Sequence, residues 1–104
     1  MPAYNPLYED EVLTGQEQKL QKPPLYKVLL HNDDFTTMDF VVFILVQVFH
    51  KSEEEAVHIM LAVHNQGVGV AGVFTCEIAE AKINQVHNLA KAHDYPLLCT
   101  MEEE

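Results

Sequence analysis

Residues 25–49 read LYKVLLHNDDFTTMDFVVFILVQVF, and the fold turns on where this stretch changes its apolar period. The first part, LYKVLLH (Leu25 to His31), is short and rich in strand formers, with Tyr26, Val28 and Leu30 on one face of a strand. From Met38 the spacing becomes helical. Phe40, Val41, Ile44, Leu45, Val48 and Phe49 define one buried face of a helix running from about Met38 to Phe49. Between the two periods, Thr36 is placed to cap the helix, with Asp39 in a capping-box-like position. Asn32, Asp33 and Asp34 then read either as a solvated strand-to-helix turn or as part of a site that holds a cation.

Downstream, Ser52 and Glu55 form a capping box for a second helix carrying Ala56, Ile59, Met60, Val63 and His64, which Gly67 terminates. VGVAGVF (68–74) is too glycine-rich for a helix and reads as a second strand, with Gly69 and Gly72 marking a bulge or a close backbone approach. TCEIAEAKINQVHNLAKAH (75–93) is the clearest helix. Thr75 is its expected cap, and Ile78, Lys82, Ile83, Val86, Leu89 and Ala90 recur at helical spacing. Pro96 follows, LLCTM (97–101) is a short last strand, and the closing glutamates read as a solvated tail. The expected fold is α+β: a small three-stranded antiparallel sheet with three helices packed on one face, in the order β-α-α-β-α-β.

Upstream, residues 1–22 mix proline, acids and scattered apolar side chains without a period, and are expected to be a flexible extension. The prolines at 23 and 24 mark the start of a core domain over 23–104. A chain of 104 residues is long enough for one core and too short for two.

The net charge is −10, with six lysines and no arginine, which disfavours nucleic acid and anionic membrane surfaces and favours cationic partners. No apolar run approaches a membrane span, and the first residues lack the pattern of a secretory signal, so a cytoplasmic protein is expected. Cys76 and Cys99 form no CxxC and are read as free thiols in the manner of small apolar residues. His58 and His64 do not share a helix face, and no metal or other cofactor is expected. There is no nucleophile–base pattern and no phosphate-binding glycine loop. What the residues do offer is acceptor atoms on Asn32, Asp33 and His64, with Met38, Val41, Met60 and Val63 as apolar neighbours of adaptable size. An ammonium group needs the former and a bulky side chain the latter, provided that the loop and the second helix converge.

PPLYKVLLHNDDFTTMDFV (23–41), IMLAVHNQGVGVAGVFT (59–75), EIAEAKI (77–83) and DYPLLCTME (94–102) together resemble the ClpS family, the bacterial and plastid adaptors of the ATP-dependent Clp protease, over Lys22 to Glu102. The resemblance implies a receptor for N-degrons, without enzymatic activity. Such adaptors bind the free α-amino group and the bulky hydrophobic first residue (Leu, Phe, Tyr or Trp) of a substrate. They deliver it to the N-domain of a ClpA- or ClpC-type AAA+ unfoldase for degradation by ClpP, in a bacterial cytoplasm rather than a plastid stroma. By matching positions, Asn32, Asp33 and His64 hold the α-amino group. Asp34, Thr36, Met38, Val41, Met60, Val63 and Leu97 form or border the side-chain pocket, with Met38 as the gate against β-branched residues. Glu77 and Lys82 match part of the surface that docks on the unfoldase, and the residues before Pro23 match the arm used in handover. Thr37 stands where the family commonly has proline, Phe35 where tyrosine is common, and Val68 where lysine is frequent. Phe43 and Val46 make the first helix apolar almost all round.

Two other readings remain. An enzyme would use Asp33 and His64 as an acid–base pair and lose turnover on substitution of either. A docking modulator would block other substrates at the unfoldase without binding N-degrons itself.

Overall fold

The structure, a computed structural model, describes residues 22–104, so the expected arm before Pro23 lies outside the described residues save Lys22. Strand β1 (Leu25–His31) is the centre of a three-stranded antiparallel sheet, flanked by β2 (Val68–Thr75) and β3 (Leu98–Glu103). Helices α1 (Met38–Gln47) and α2 (Glu53–Gln66) fill the connection from β1 to β2, and α3 (Cys76–Ala92) the connection from β2 to β3. The order is the expected β-α-α-β-α-β. No helix among the described residues is long and apolar enough to cross a membrane.

The alternation in β1 decides which sheet face is covered. Val28 and Leu30 are fully buried and join Ala71, Cys99 and the inner sides of the helices in one core. All six residues of the periodic stripe on α1 and the turn after it, Phe40 through Phe49, are in that core. The opposite sheet face leaves Leu25, Val68, Val70, Val73 and Leu98 exposed.

Both glycine expectations in the second strand are met by specific contacts. Val28 pairs with Gly72 but Leu29 pairs with Val70, so Ala71 is an extra residue in β2, a β-bulge. The bulge resets the alternation, keeping Val70 and Val73 outside while Ala71 and Phe74 face the core. At Gly69, a Cβ would stand 2.7 Å from Cγ2 of Val63, so the missing side chain is what lets α2 lie against β2.

Several boundaries differ from expectation. Thr37, not Thr36, caps α1: its Oγ1 accepts from the Phe40 amide at 3.1 Å. The helix ends at Gln47, although Val48 and Phe49 stay buried. Ser52 caps α2 as expected, its Oγ accepting from the Glu55 amide, and Gly67 closes that helix in the left-handed conformation with φ 91°. Thr75 occupies the cap position of α3 without a side-chain cap bond. Ile78 is half exposed, and Ala79 takes the buried place beside it, since the stripe of α3 is rotated by one residue there. Glu102 and Glu103 belong to β3 rather than to a tail, because backbone pairing with Lys27 and Tyr26 leaves their side chains free to face water on an edge strand.

Candidate functional site

β1 ends at His31, and the chain crosses to α1 through a loop that its own side chains hold. The Asp33 carboxylate accepts from the Phe35 amide at 2.8 Å and the Thr36 amide at 2.7 Å through Oδ1, and from the Thr36 hydroxyl at 2.8 Å through Oδ2. This closed Asx-type turn substitutes for backbone pairing where the strand stops. It also shifts the pKa of the carboxylate. Burial alone would raise the pKa of Asp33, but the bonds from Thr36 and Phe35 outweigh it and hold the group below its ordinary value. Asn32 ties the loop to the far end of α2: its amide donates to the Gly67 carbonyl at 2.9 Å. Gly67 follows His64 by three residues, so this bond, next after the His31–Val68 pair of the β1–β2 ladder, sets the strand end beside the histidine's helix end.

A cavity of about 280 Å³ lies between that loop, the first turns of α1 and the C-terminal half of α2. Its polar side is Asn32, Asp33, Asp34, Thr36 and His64, and its apolar side is Met38, Val41, Met60 and Val63. Val41, Met60 and Val63 are all buried, forming a floor continuous with the core, whereas Asn32, Asp34 and His64 are exposed at the rim. Met38 stands between the two groups, 42% exposed in the first turn of α1. Three of the roughly four lone-pair sites on the Asp33 carboxylate are spent on the turn, which leaves room for one more donor. The arrangement offers a cation acceptors at the rim, with Asp33 held in place by the turn, and a bulky apolar group a buried apolar floor.

Leu97, expected to border the pocket, is 3% exposed in the core and does not line this cavity, so any influence it has on a ligand passes through packing. Glu77 and Lys82 lie on α3, away from the cavity. Glu77 is exposed, but Lys82 is half-buried: its Nζ donates to the Val48 carbonyl at 2.7 Å and sits 5.7 Å from the centre of the Phe74 ring. Phe43 is 39% exposed, while Val46 packs partly against the core. Among the described residues no group of three or more His, Cys, Asp or Glu is placed to hold a metal ion.

Sequence reasoning passed over one neighbourhood. Phe40, Phe43, His93 and Tyr95 form an aromatic cluster, with the Phe40 and Tyr95 rings 4.7 Å apart, beside a second, shallower groove at the start of α1. The chain turns back there through Asp94 in a left-handed conformation, φ 62°, and the Tyr95 amide closes on the Ala90 carbonyl at 2.8 Å. Only the aromatic before Pro96 hinted at it.

The family model described as ATP-dependent Clp protease adaptor protein ClpS matches residues 21–100. The ClpS adapter of Myxococcus xanthus is 61% identical over 99 residues, covering 93% of this chain and 92% of its own. That of Desulfatibacillum aliphaticivorans is 60% identical over 94 residues, covering 90% of each chain. The structure of Agrobacterium tumefaciens ClpS2 bound to L-phenylalaninamide superposes with a TM-score of 0.77 at 40% identity, covering 80% of this chain and 100% of that one. With its fold, its order of elements and most of its length matched, the chain belongs to the ClpS family of ATP-dependent Clp protease adaptors.

Proposed function

We propose that the cavity receives the first residue of a substrate protein, and that the adaptor delivers such substrates to the N-domain of a ClpA- or ClpC-type unfoldase for degradation by ClpP. Asn32, Asp33 and His64 take the free α-amino group and the first peptide unit. Asp34 and Thr36 border the entrance, Val41, Met60 and Val63 carry the side chain, and Met38 gates it against β-branched residues. Glu77 and Lys82 belong to the surface that meets the unfoldase. The observation that carries this reading is the meeting of an acceptor-rich rim and a buried apolar floor in one cavity of about 280 Å³.

The ligand of the Agrobacterium relative supports it by its chemistry. Phenylalaninamide has a free α-amine, a bulky apolar side chain, and an amide in place of the first peptide bond. The energetics are also in range. Burying a large apolar side chain contributes about 1.5–3 kcal/mol, and each hydrogen bond to a charged group about 1.5–3 kcal/mol. Less the entropy of ordering the peptide, these give an affinity on the order of micromolar, weak enough for a carrier to release its cargo. The modulator reading accounts for a docking surface but leaves the cavity without a purpose.

The test is fluorescence anisotropy with peptides that differ only in the first residue, each with and without N-terminal acetylation. Peptides starting with Leu, Phe, Tyr or Trp bind when unblocked. Acetylation removes the charge and strands the rim acceptors, so it abolishes binding. Equal binding of acetylated and free peptides, or of peptides starting with Ser, overturns the proposal.

A further inference from the structure

Met38 differs from the other methionines of the described residues in being both open to solvent and part of the cavity. The residue is 42% exposed, whereas Met60 is 9% exposed and Met101 packs partly against the core. Met38 and Met60 both line the cavity, but of the two only Met38 is an exposed residue that a dissolved oxidant can approach. Both thiols are shifted away from their reactive form. Partial burial and the Glu80 carboxylate, 3.8 Å from Sγ, raise the pKa of Cys76, and burial pushes Cys99 up to about 12, so neither holds much of the reactive thiolate near neutrality.

We propose that Met38 is an oxidation site whose sulfoxide closes the cavity to apolar side chains. Hydrogen peroxide transfers one oxygen atom to the thioether. The sulfur lone pair forms the S–O bond, the O–O bond breaks, and the second oxygen leaves as water with both protons. The product is polar and chiral at the mouth of a floor made of Val41, Met60 and Val63, none of which can donate a hydrogen bond. A Leu or Phe side chain seated over that floor would strip water from the sulfoxide oxygen while offering it no donor, a cost that unoxidised Met38 does not carry. A dithiol, through methionine sulfoxide reductase, supplies two electrons and two protons, is itself oxidised to a disulfide, and removes the oxygen as water, which reopens the cavity. The inference rests on the reading of this cavity as the first-residue site.

The experiment treats the full chain with hydrogen peroxide, follows each methionine by mass spectrometry of a digest, and measures binding of a Leu-initiated peptide by anisotropy. Met38 gains an oxygen atom before Met60 and Met101, and does so more slowly when the peptide is bound. The oxidised protein binds about tenfold more weakly or worse. Methionine sulfoxide reductase restores binding and dithiothreitol alone does not, which separates the effect from thiol oxidation. Met38→Leu, compared with its own untreated affinity, keeps it through peroxide. Oxidation of Met38 no faster than of Met60, undiminished binding once Met38 is oxidised, or equal peroxide sensitivity in Met38→Leu overturns the proposal. If the untreated protein binds no such peptide, the first-residue reading itself falls and the gating claim with it, while the order of oxidation still reports whether Met38 is the exposed sulfur.

Discussion

Asp33 carries two duties that pull on the same oxygens. It closes the loop by accepting from Phe35 and Thr36, and in the proposed function it also meets the substrate's ammonium. Asp33→Ala therefore removes a ligand contact and unpins the loop that carries Asn32, and we expect it to weaken binding of a Leu-initiated peptide by about 1–3 kcal/mol. Wild-type affinity in an anisotropy titration would refute that. The same carboxylate makes a pH prediction. Its native pKa lies below 3.8, so the ionised form favours the folded loop at any pH above 3.8, and that contribution fades as pH falls through the lower native value. The stability difference between wild type and Asp33→Asn in urea titrations should thus be constant near neutrality and shrink in acid. A difference that grows on acidification contradicts the assignment. Asp33 also explains why Thr36 does not cap α1. Thr36 is the cap expected from sequence, but both its hydroxyl and its amide donate to Asp33, and the cap passes to Thr37. Such a choice depends on a third residue's hydrogen bonds and is not written in helical periodicity.

At the level of elements, the helices and strands were legible because each carries its own period and punctuation, as in the α1 stripe, the Ser52 cap and the Gly67 stop. Contacts between elements were not. Lys82 reads as a surface lysine on α3, yet it reaches 34 residues back to the Val48 carbonyl at the end of α1, where a cation also complements the helix dipole. Its assignment to unfoldase docking consequently has a structural competitor. Lys82→Met keeps the stem over Phe74 and removes the charge; we expect a stability loss of about 0.5–1.5 kcal/mol by chemical denaturation in the isolated adaptor. Unchanged stability alongside weaker unfoldase binding would make Lys82 a pure docking residue. Gly69 gives the converse case, in which an element contact shapes the site. Gly69→Ala drives a methyl group into Val63, a stiff β-branched residue in the cavity floor. The expected cost is about 1–3 kcal/mol in stability, with weaker peptide binding as α2 moves off the sheet. Intact affinity in a destabilised Gly69→Ala protein would show that the floor tolerates that shift.

For the whole molecule, the separation of functions is the point to test. The cavity sits between the loop after β1 and α2, the proposed docking residues lie on α3, and the segment proposed for handover precedes Pro23. The convergence of Asn32 and His64 across about a third of the chain was not readable from periodicity, which left Asn32–Asp34 explained as a turn; the family resemblance singled out those residues, and the pairing of β1 with β2, extended by the Asn32–Gly67 backbone bond, gives the physical cause of their meeting. A net charge of −10 favours a cationic partner surface, and the proposed association with the unfoldase is therefore expected to weaken as salt rises, since charges are screened beyond about 10 Å at 0.1 M. In the proposed function peptide binding depends on one ammonium held at short range over a buried apolar floor and should change far less. Deleting residues 1–22 divides the molecule differently: among the described residues the cavity is lined by positions 32–64, so peptide affinity should stay at the full-length value while degradation of a Leu-initiated substrate by reconstituted unfoldase and ClpP stops. Both quantities are measured on the same truncated protein, anisotropy for the first and loss of substrate fluorescence for the second. Continued degradation would show that handover needs only the core, and a fall in peptide affinity would mean that the first residues help to build the site.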